Sequence, residues 1–175
     1  MASPFCSTTG YSWRFNPISR LIRDTHRQGL LGKPYSIEIR FLTTSVKRRD
    51  PTSWIFQREI SGGGILNWLG CHWFDLMRYI TGAEVAKVSA IEANVGGEAI
   101  DVEDAAAVSL QFTNGMIGSL HAGYFRSGGG ETSFGLRGSD GWAKWEMADQ
   151  GCTIHSDHPD WAEAPERQFH MPTAQ

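Results

Sequence analysis

The sequence predicts an α+β fold, with one open, mainly antiparallel β-sheet and helices on one of its faces. Three observations predict it. Two amphipathic helical patterns come early, over 16–29 and 63–80. A series of alternating runs then follows without a third helical pattern. Turn signals separate those runs, among them Asn114-Gly115, the strongest short-range hairpin signal. Helices segregated from a run of strands argue against the βαβ repeats of a parallel sheet.

Each element has a local reason. Asn16 is a natural N-cap, and Pro17 sits where a helix needs no N–H donor. Ile18, Leu21, Ile22 and Thr25 recur at helical spacing, and Gly29, Gly32 and Pro34 end the pattern. Over 35–46, Tyr35, Ile37, Ile39 and Phe41 alternate with Ser36, Glu38 and Arg40, which predicts a half-buried strand. Residues 47–61 read as a polar loop holding Trp54, Ile55 and Phe56. That triplet either plugs the edge of a core or lines a pocket or partner surface. Thr81-Gly82 ends the second helix. Strands are predicted over 85–95, 103–112, 115–125, 132–138, 142–147 and 152–155, in a meander. Beyond His155 the chain turns polar and proline-rich, so 156–175 reads as a tail and 16–155 as the domain.

Composition narrows the function. The 175 residues suffice for one domain, which at this size buries roughly 70% of its unfolded surface. A net charge of −3 leaves no excess to neutralise phosphates, and Lys47-Arg48-Arg49 reads as a solvated loop, so nucleic acid is excluded. No apolar run reaches the ~18 residues of a membrane span, and residues 1–10 lack a signal-peptide pattern. Cys6, Cys71 and Cys152 are scattered and odd in number, which predicts neither disulfides nor a zinc site and fits a reducing cytoplasm. The histidines show no ligand spacing, and no metal site is expected.

The chemistry concentrates on the second helix. At about 100° per residue, Ile65, Leu66, Leu69, Trp73, Leu76, Met77 and Ile80 fall in one arc facing the sheet. Trp68, His72, Asp75 and Tyr79 line its margin, and Asn67, Cys71, Phe74 and Arg78 lie beyond. A histidine at such a margin can serve as acid or base, with Asp75 orienting the imidazole. The same pair also reads as a structural hydrogen bond. Gly62-Gly63-Gly64 opens the helix, and its free N–H groups would favour an anion or hydroxyl.

The stretch Gly62 to Asp75, GGGILNWLGCHWFD, resembles the signature of the Gfo/Idh/MocA family of NAD(P)-dependent oxidoreductases. Further blocks resemble that family in the same order: GYSWRFNP at 10–17, GLLGKPY at 29–35, Val102-Glu103-Asp104, LQFTNG at 110–115 and FGLRGSDG at 134–141. The resemblance runs from about residue 10 to about 147 and covers only the family's C-terminal α+β domain. The Rossmann fingerprint and the Glu-Lys-Pro lysine of the family's first domain are absent, and Lys33-Pro34 does not replace them.

The resemblance implies a substrate-binding and oligomerisation part of a larger enzyme. It would act on a sugar- or cyclitol-like alcohol, assemble through the open sheet face, and have no activity alone. NAD or NADP would belong to the full-length parent, with no cofactor bound by this chain. Residues 1–15 would be a remnant of the linker or last strand of a Rossmann domain. His72 matches the family's catalytic histidine, Asp75 the acidic position after it. Trp68, Asn67, Arg14 and Tyr79 are the implied substrate contacts. Trp68 stands where the family often has an aspartate. A tryptophan moves no proton at neutral pH, but it can stack on a sugar ring. A non-catalytic, sheet-mediated assembly module is the alternative.

Overall fold

In the computed structural model, residues 10–146 and 151–171 are described. Helix α1 spans Pro17–Arg27, capped as expected: Asn16 Oδ1 accepts from the N–H groups of Ile18 (2.8 Å) and Ser19 (3.3 Å). A short helix, α2, spans Arg58–Ser61, and α3 spans Cys71–Thr81, ending on Gly82 at φ +66°. Eight strands follow one another as β1 (Pro34–Thr44), β2 (Val85–Ala93), β3 (Ala105–Phe112), β4 (Ile117–Arg126), β5 (Glu131–Gly138), β6 (Gly141–Glu146), β7 (Gly151–Ser156) and β8 (Glu166–His170).

They form one sheet in the order β2-β3-β4-β1-β5-β6-β7-β8. All neighbours run antiparallel except β1 and β4, which are parallel. The strands after α3 are therefore two meanders rather than one. Strand β1, made first, sits between them, and the Gly128–Gly130 loop carries the chain across its end. The expected polar tail is also corrected. Residues 166–170 pair with β7, and Trp161 in the turn before them is buried. The run Glu-Arg-Gln-Phe-His has one apolar residue, too few for alternation to reveal an edge strand.

The helices cover one face. Ile18 and Ile22 of α1 and Leu76, Met77 and Ile80 of α3 pack with Ile37, Ile39, Val108, Leu120, Phe134, Leu136 and Ile154 from the facing side of the strands. The other face is open and mixed. Glu38 pairs with Arg137 and Arg40 with Glu131, each at 2.7 Å, while Trp142 stacks on His155 across β6 and β7. Ile91 and Ile117 are exposed there.

The 47–61 loop divides its apolar triplet. Phe56 is buried against Tyr124 with ring centroids 5.9 Å apart, Ile55 is partly buried, and Trp54 remains half exposed. Of the basic run, Lys47 and Arg48 are exposed, whereas Arg49 lies over the Tyr124 ring.

Candidate functional site

The glycine triplet has a packing explanation at each position. Gly62 takes φ +77°, the left-handed residue that ends α2. A Cβ on Gly63 would lie 3.2 Å from the Asn67 Cβ, and one on Gly64 would lie 1.9 Å from the Glu103 carbonyl oxygen. The close approach has a purpose. Ile65 N–H donates to the Glu103 carbonyl (3.1 Å), and Leu66 N–H donates to Glu103 Oε1 (3.2 Å). The expected anion site at this helix start is thus filled by the chain's own Glu103, a 5% exposed carboxylate with Arg58 3.9 Å away. Neighbouring Asp104 is also structural, accepting from Val95 N–H (2.8 Å) and Gly96 N–H (2.7 Å).

The helix that follows is not regular. Leu66–Gly70 forms a π turn, in which Cys71 N–H donates to the Leu66 carbonyl five residues back. Such a turn adds one residue to the cycle, and it often occurs at functional positions. Trp68 lies inside it, and His72 lies just past it. The margin expected from the wheel survives, with Trp68, His72 and Tyr79 half-buried, but Asp75 is only 4% exposed.

Asp75 does not orient His72. Its carboxylate takes a two-pronged contact from Arg14, with Arg14 Nε donating to Oδ2 at 2.8 Å and Nη2 donating to Oδ1. Arg14 comes from a 3₁₀ turn at Ser12–Phe15. Trp13 anchors that turn in the core, 5.2 Å from Trp73 and 5.9 Å from Trp145 between ring centroids. Packing Trp13 against the core delivers its neighbours Tyr11 and Arg14 to the outer margin of α3. The bond to Asp75 raises the Arg14 pKa above its ordinary value. The physical reason for the correction is charge: a buried carboxylate gains more from a bidentate guanidinium than from an imidazole.

His72 is therefore uncommitted. Tyr11 meets its ring edge-on at 5.7 Å between centroids, and Nδ1 is buried without a hydrogen-bond partner among the described residues. Tyr79 accepts from Arg23 through its hydroxyl, and the guanidinium groups of Arg14 and Arg23 lie 5.4 and 4.8 Å from its ring centre. The Asn67 amide donates to the Ser61 carbonyl, tying the helix start to the end of α2. Trp68 packs edge to face on Trp54, with centroids 4.7 Å apart.

The structure so brings Arg14, Asp75 and Tyr79 into one network with His72 beside it. Trp68 lies one turn away, and Asn67 faces the glycine turn. A shallow cleft of about 360 Å³ at that turn is lined in part by Asn67, Cys71 and Glu103; His72 is not among its walls. Among the described residues no group of three potential ligands is placed to hold a metal ion. Tyr11 and Arg23 escape sequence reasoning. Both act through residues more than 50 positions away, and no local spacing encodes such contacts.

Comparison with known proteins now places the chain. The sequence model of the GFO/IDH/MocA C-terminal domain matches residues 19–144, and the chain belongs to that family. Levoglucosan dehydrogenase from Pseudarthrobacter phenanthrenivorans is 27% identical over 135 residues, covering 64% of this chain and 34% of that protein. Myo-inositol 2-dehydrogenase from Thermotoga maritima is 33% identical over 117 residues, covering 64% and 32%. The 1,5-anhydro-D-fructose reductase of Ensifer adhaerens is 26% identical over 133 residues, covering 76% and 39%. The chain thus spans about a third of the length of these curated relatives. A levoglucosan dehydrogenase solved with NADH and levoglucosan superposes with a TM-score of 0.83 at 23% identity, over 93% of this chain and 46% of that one. An aldose-aldose oxidoreductase from Caulobacter crescentus, complexed with glycerol, gives 0.75 at 24% identity, over 95% and 48%. These superpositions establish the shared fold.

Proposed function

We propose that the chain is the substrate-binding part of an NAD(P)-dependent oxidoreductase acting on a sugar- or cyclitol-like alcohol. His72 exchanges the proton of the reacting hydroxyl. The observation that carries this is the imidazole itself: half-buried, at the helix margin and, among the described residues, without a hydrogen bond to Asp75, which Arg14 claims. The Arg14–Asp75 pair acts as a fixed support, holding the lead-in segment and Tyr11 against the histidine. Relatives that dehydrogenate levoglucosan and inositol support the substrate class.

The glycine turn at the start of α3 offers no cradle for a pyrophosphate. A pyrophosphate needs a strand, a glycine turn and a helix start with free N–H groups. Here the glycine turn's N–H groups at Ile65 and Leu66 are occupied by Glu103. We assign NAD or NADP to a separate Rossmann part of the full-length parent. Residues 1–9 lie outside the described residues. The chain alone has no turnover in this reading. No helix among the described residues is long and apolar enough to cross a membrane. Cys71 and Cys152, unpaired among the described residues, are compatible with a reducing, cytoplasmic setting.

The test is His72→Gln in the full-length protein. The expected result is a loss of kcat by roughly 10²–10⁴-fold with the circular dichroism spectrum unchanged. Unchanged turnover would leave the second reading, an assembly module. That reading has its own support in Ile91 (77% exposed), Ile117 (61%) and Phe125 (36%) on the open sheet face. Both readings place a second copy of the chain on this face, and sedimentation analysis reads it directly.

A further inference from the structure

The 47–61 loop sets a half-exposed tryptophan, Trp54, against Trp68. We infer that Trp54 forms, with Trp68, an aromatic corner that takes the C–H face of a ring-shaped polyol, so that Trp54 sets specificity for cyclic over open-chain substrates. The inference rests on the reading of the His72 margin as a substrate wall.

Trp54 is large, apolar and 50% exposed, yet it is held firmly. It opens a 3₁₀ turn, Trp54–Phe56, whose third residue is driven into the core at 2% exposure. Phe56 N–H donates to the Ser53 carbonyl (3.0 Å), and the Phe56 carbonyl accepts from Asp101 N–H (3.1 Å). The backbone at Trp54 is thereby fixed from both sides. Its ring meets Trp68 at an interplanar angle of 69°. Two planes near a right angle make a corner, and an edge-to-face contact leaves aromatic surface uncovered.

The corner and His72 sit over the same end of the sheet. Phe41, late in β1, lies 5.1 Å from the ring of Trp73, the residue after His72. Tyr124, late in the parallel strand β4, packs on Phe56. The 47–61 loop and the start of α3 thus both cover the C-terminal ends of β1 and β4. Trp68 precedes His72 by about one helical turn.

A cyclic polyol matches this combination chemically. Its ring presents a flat patch of C–H bonds that packs on an aromatic face, while its hydroxyl rim reaches polar groups such as an imidazole. An open-chain polyol has no such flat patch to lay on the corner. Trp68 offers contact area at the helix margin, and Trp54 adds a second face beside it.

The experiment uses the full-length protein with Trp54→Ala and Trp54→Phe, assayed on D-glucose and myo-inositol against D-sorbitol. For whichever cyclic substrate is turned over, Trp54→Ala should raise KM on the order of tenfold, the equivalent of losing one aromatic contact. Its kcat should stay within about twofold, and Trp54→Phe should retain most of the affinity. D-sorbitol kinetics should not change. An unchanged KM on cyclic substrates, or an equal rise on sorbitol, overturns the inference even where His72→Gln is inactive. If His72→Gln keeps full turnover while Trp54→Ala raises KM selectively, the corner stands and the proton-transfer reading falls. If no substrate is turned over, calorimetric titration of wild type and Trp54→Ala with myo-inositol decides, and equal binding overturns the corner.

Discussion

Gly64→Ala tests whether the glycine triplet is a packing device. The added Cβ would lie 1.9 Å from the Glu103 carbonyl oxygen, 2.9 Å from its carbon and 3.0 Å from its nitrogen. All three are backbone atoms, so no side chain can swing away. Nor is the segment at Glu103, just before β3, free to retreat. Its neighbour Asp104 donates to Ala93 and accepts at its carbonyl from Tyr124 N–H (2.7 Å), and its carboxylate holds Val95 and Gly96. The helix start must move instead and give up the Ile65 and Leu66 bonds to Glu103. Two lost hydrogen bonds at about 1 kcal/mol each and overpacking of about 1–3 kcal/mol suggest a total of about 3–5 kcal/mol. For a domain of this size that is a fall in Tm of about 10 °C. Gly62→Ala is the control. It strains only a left-handed residue and costs about 1–2 kcal/mol. Thermal and denaturant unfolding of both variants measures the order. A Gly64→Ala protein within about 2 °C of wild type, or less affected than Gly62→Ala, would refute the reasoning.

Two more outcomes accompany it. Arg14→Ala leaves the buried Asp75 carboxylate unpaired and should cost about 2 kcal/mol, reduced from a fully buried pair because Arg14 is 43% exposed. Asp75→Asn should cost less, and a double-mutant cycle should show about 1–2 kcal/mol of coupling between them. Burial holds the His26 pKa below its ordinary 6.5, partly offset by the Thr81 carbonyl. The unfolded chain then takes up a proton that the folded one resists. The contribution is complete above about pH 6.5 and is lost as pH falls toward the folded pKa. Denaturant midpoints should drop across that window, and His26→Gln should flatten the drop. An unchanged slope would show that other groups carry it.

The sheet was largely legible from the chain because period-two alternation is local. Ile37 and Ile39 turn inward as the pattern requires, and Asn114-Gly115 does join two antiparallel strands. The insertion of β1 between β4 and β5 was not legible. Strand order depends on which edges meet in space, and β1 carries no mark of its partners. The site was legible in part. The wheel found the margin bearing Trp68, His72 and Tyr79. It also paired His72 with Asp75 by proximity in sequence, whereas the carboxylate chose a guanidinium 61 residues away. The π turn was invisible too, since a single extra residue in a helical cycle leaves the apolar pattern almost unchanged.

The central place of β1 has a consequence for how the chain reaches this fold. Ser36 must find Ile117 on one side and Arg137 on the other, so each pairing closes a loop of 80 residues or more. High contact order of this kind slows folding. During synthesis β1 is complete long before either neighbour exists, and its inward face of Ile37, Ile39 and Phe41 waits with both edges open. The strand of this sheet that comes first in the chain must wait for the fourth and fifth before it is paired. Early association with chaperones, and aggregation when they are lacking, should therefore centre on residues 34–44 rather than on the exposed edge strands of the finished sheet.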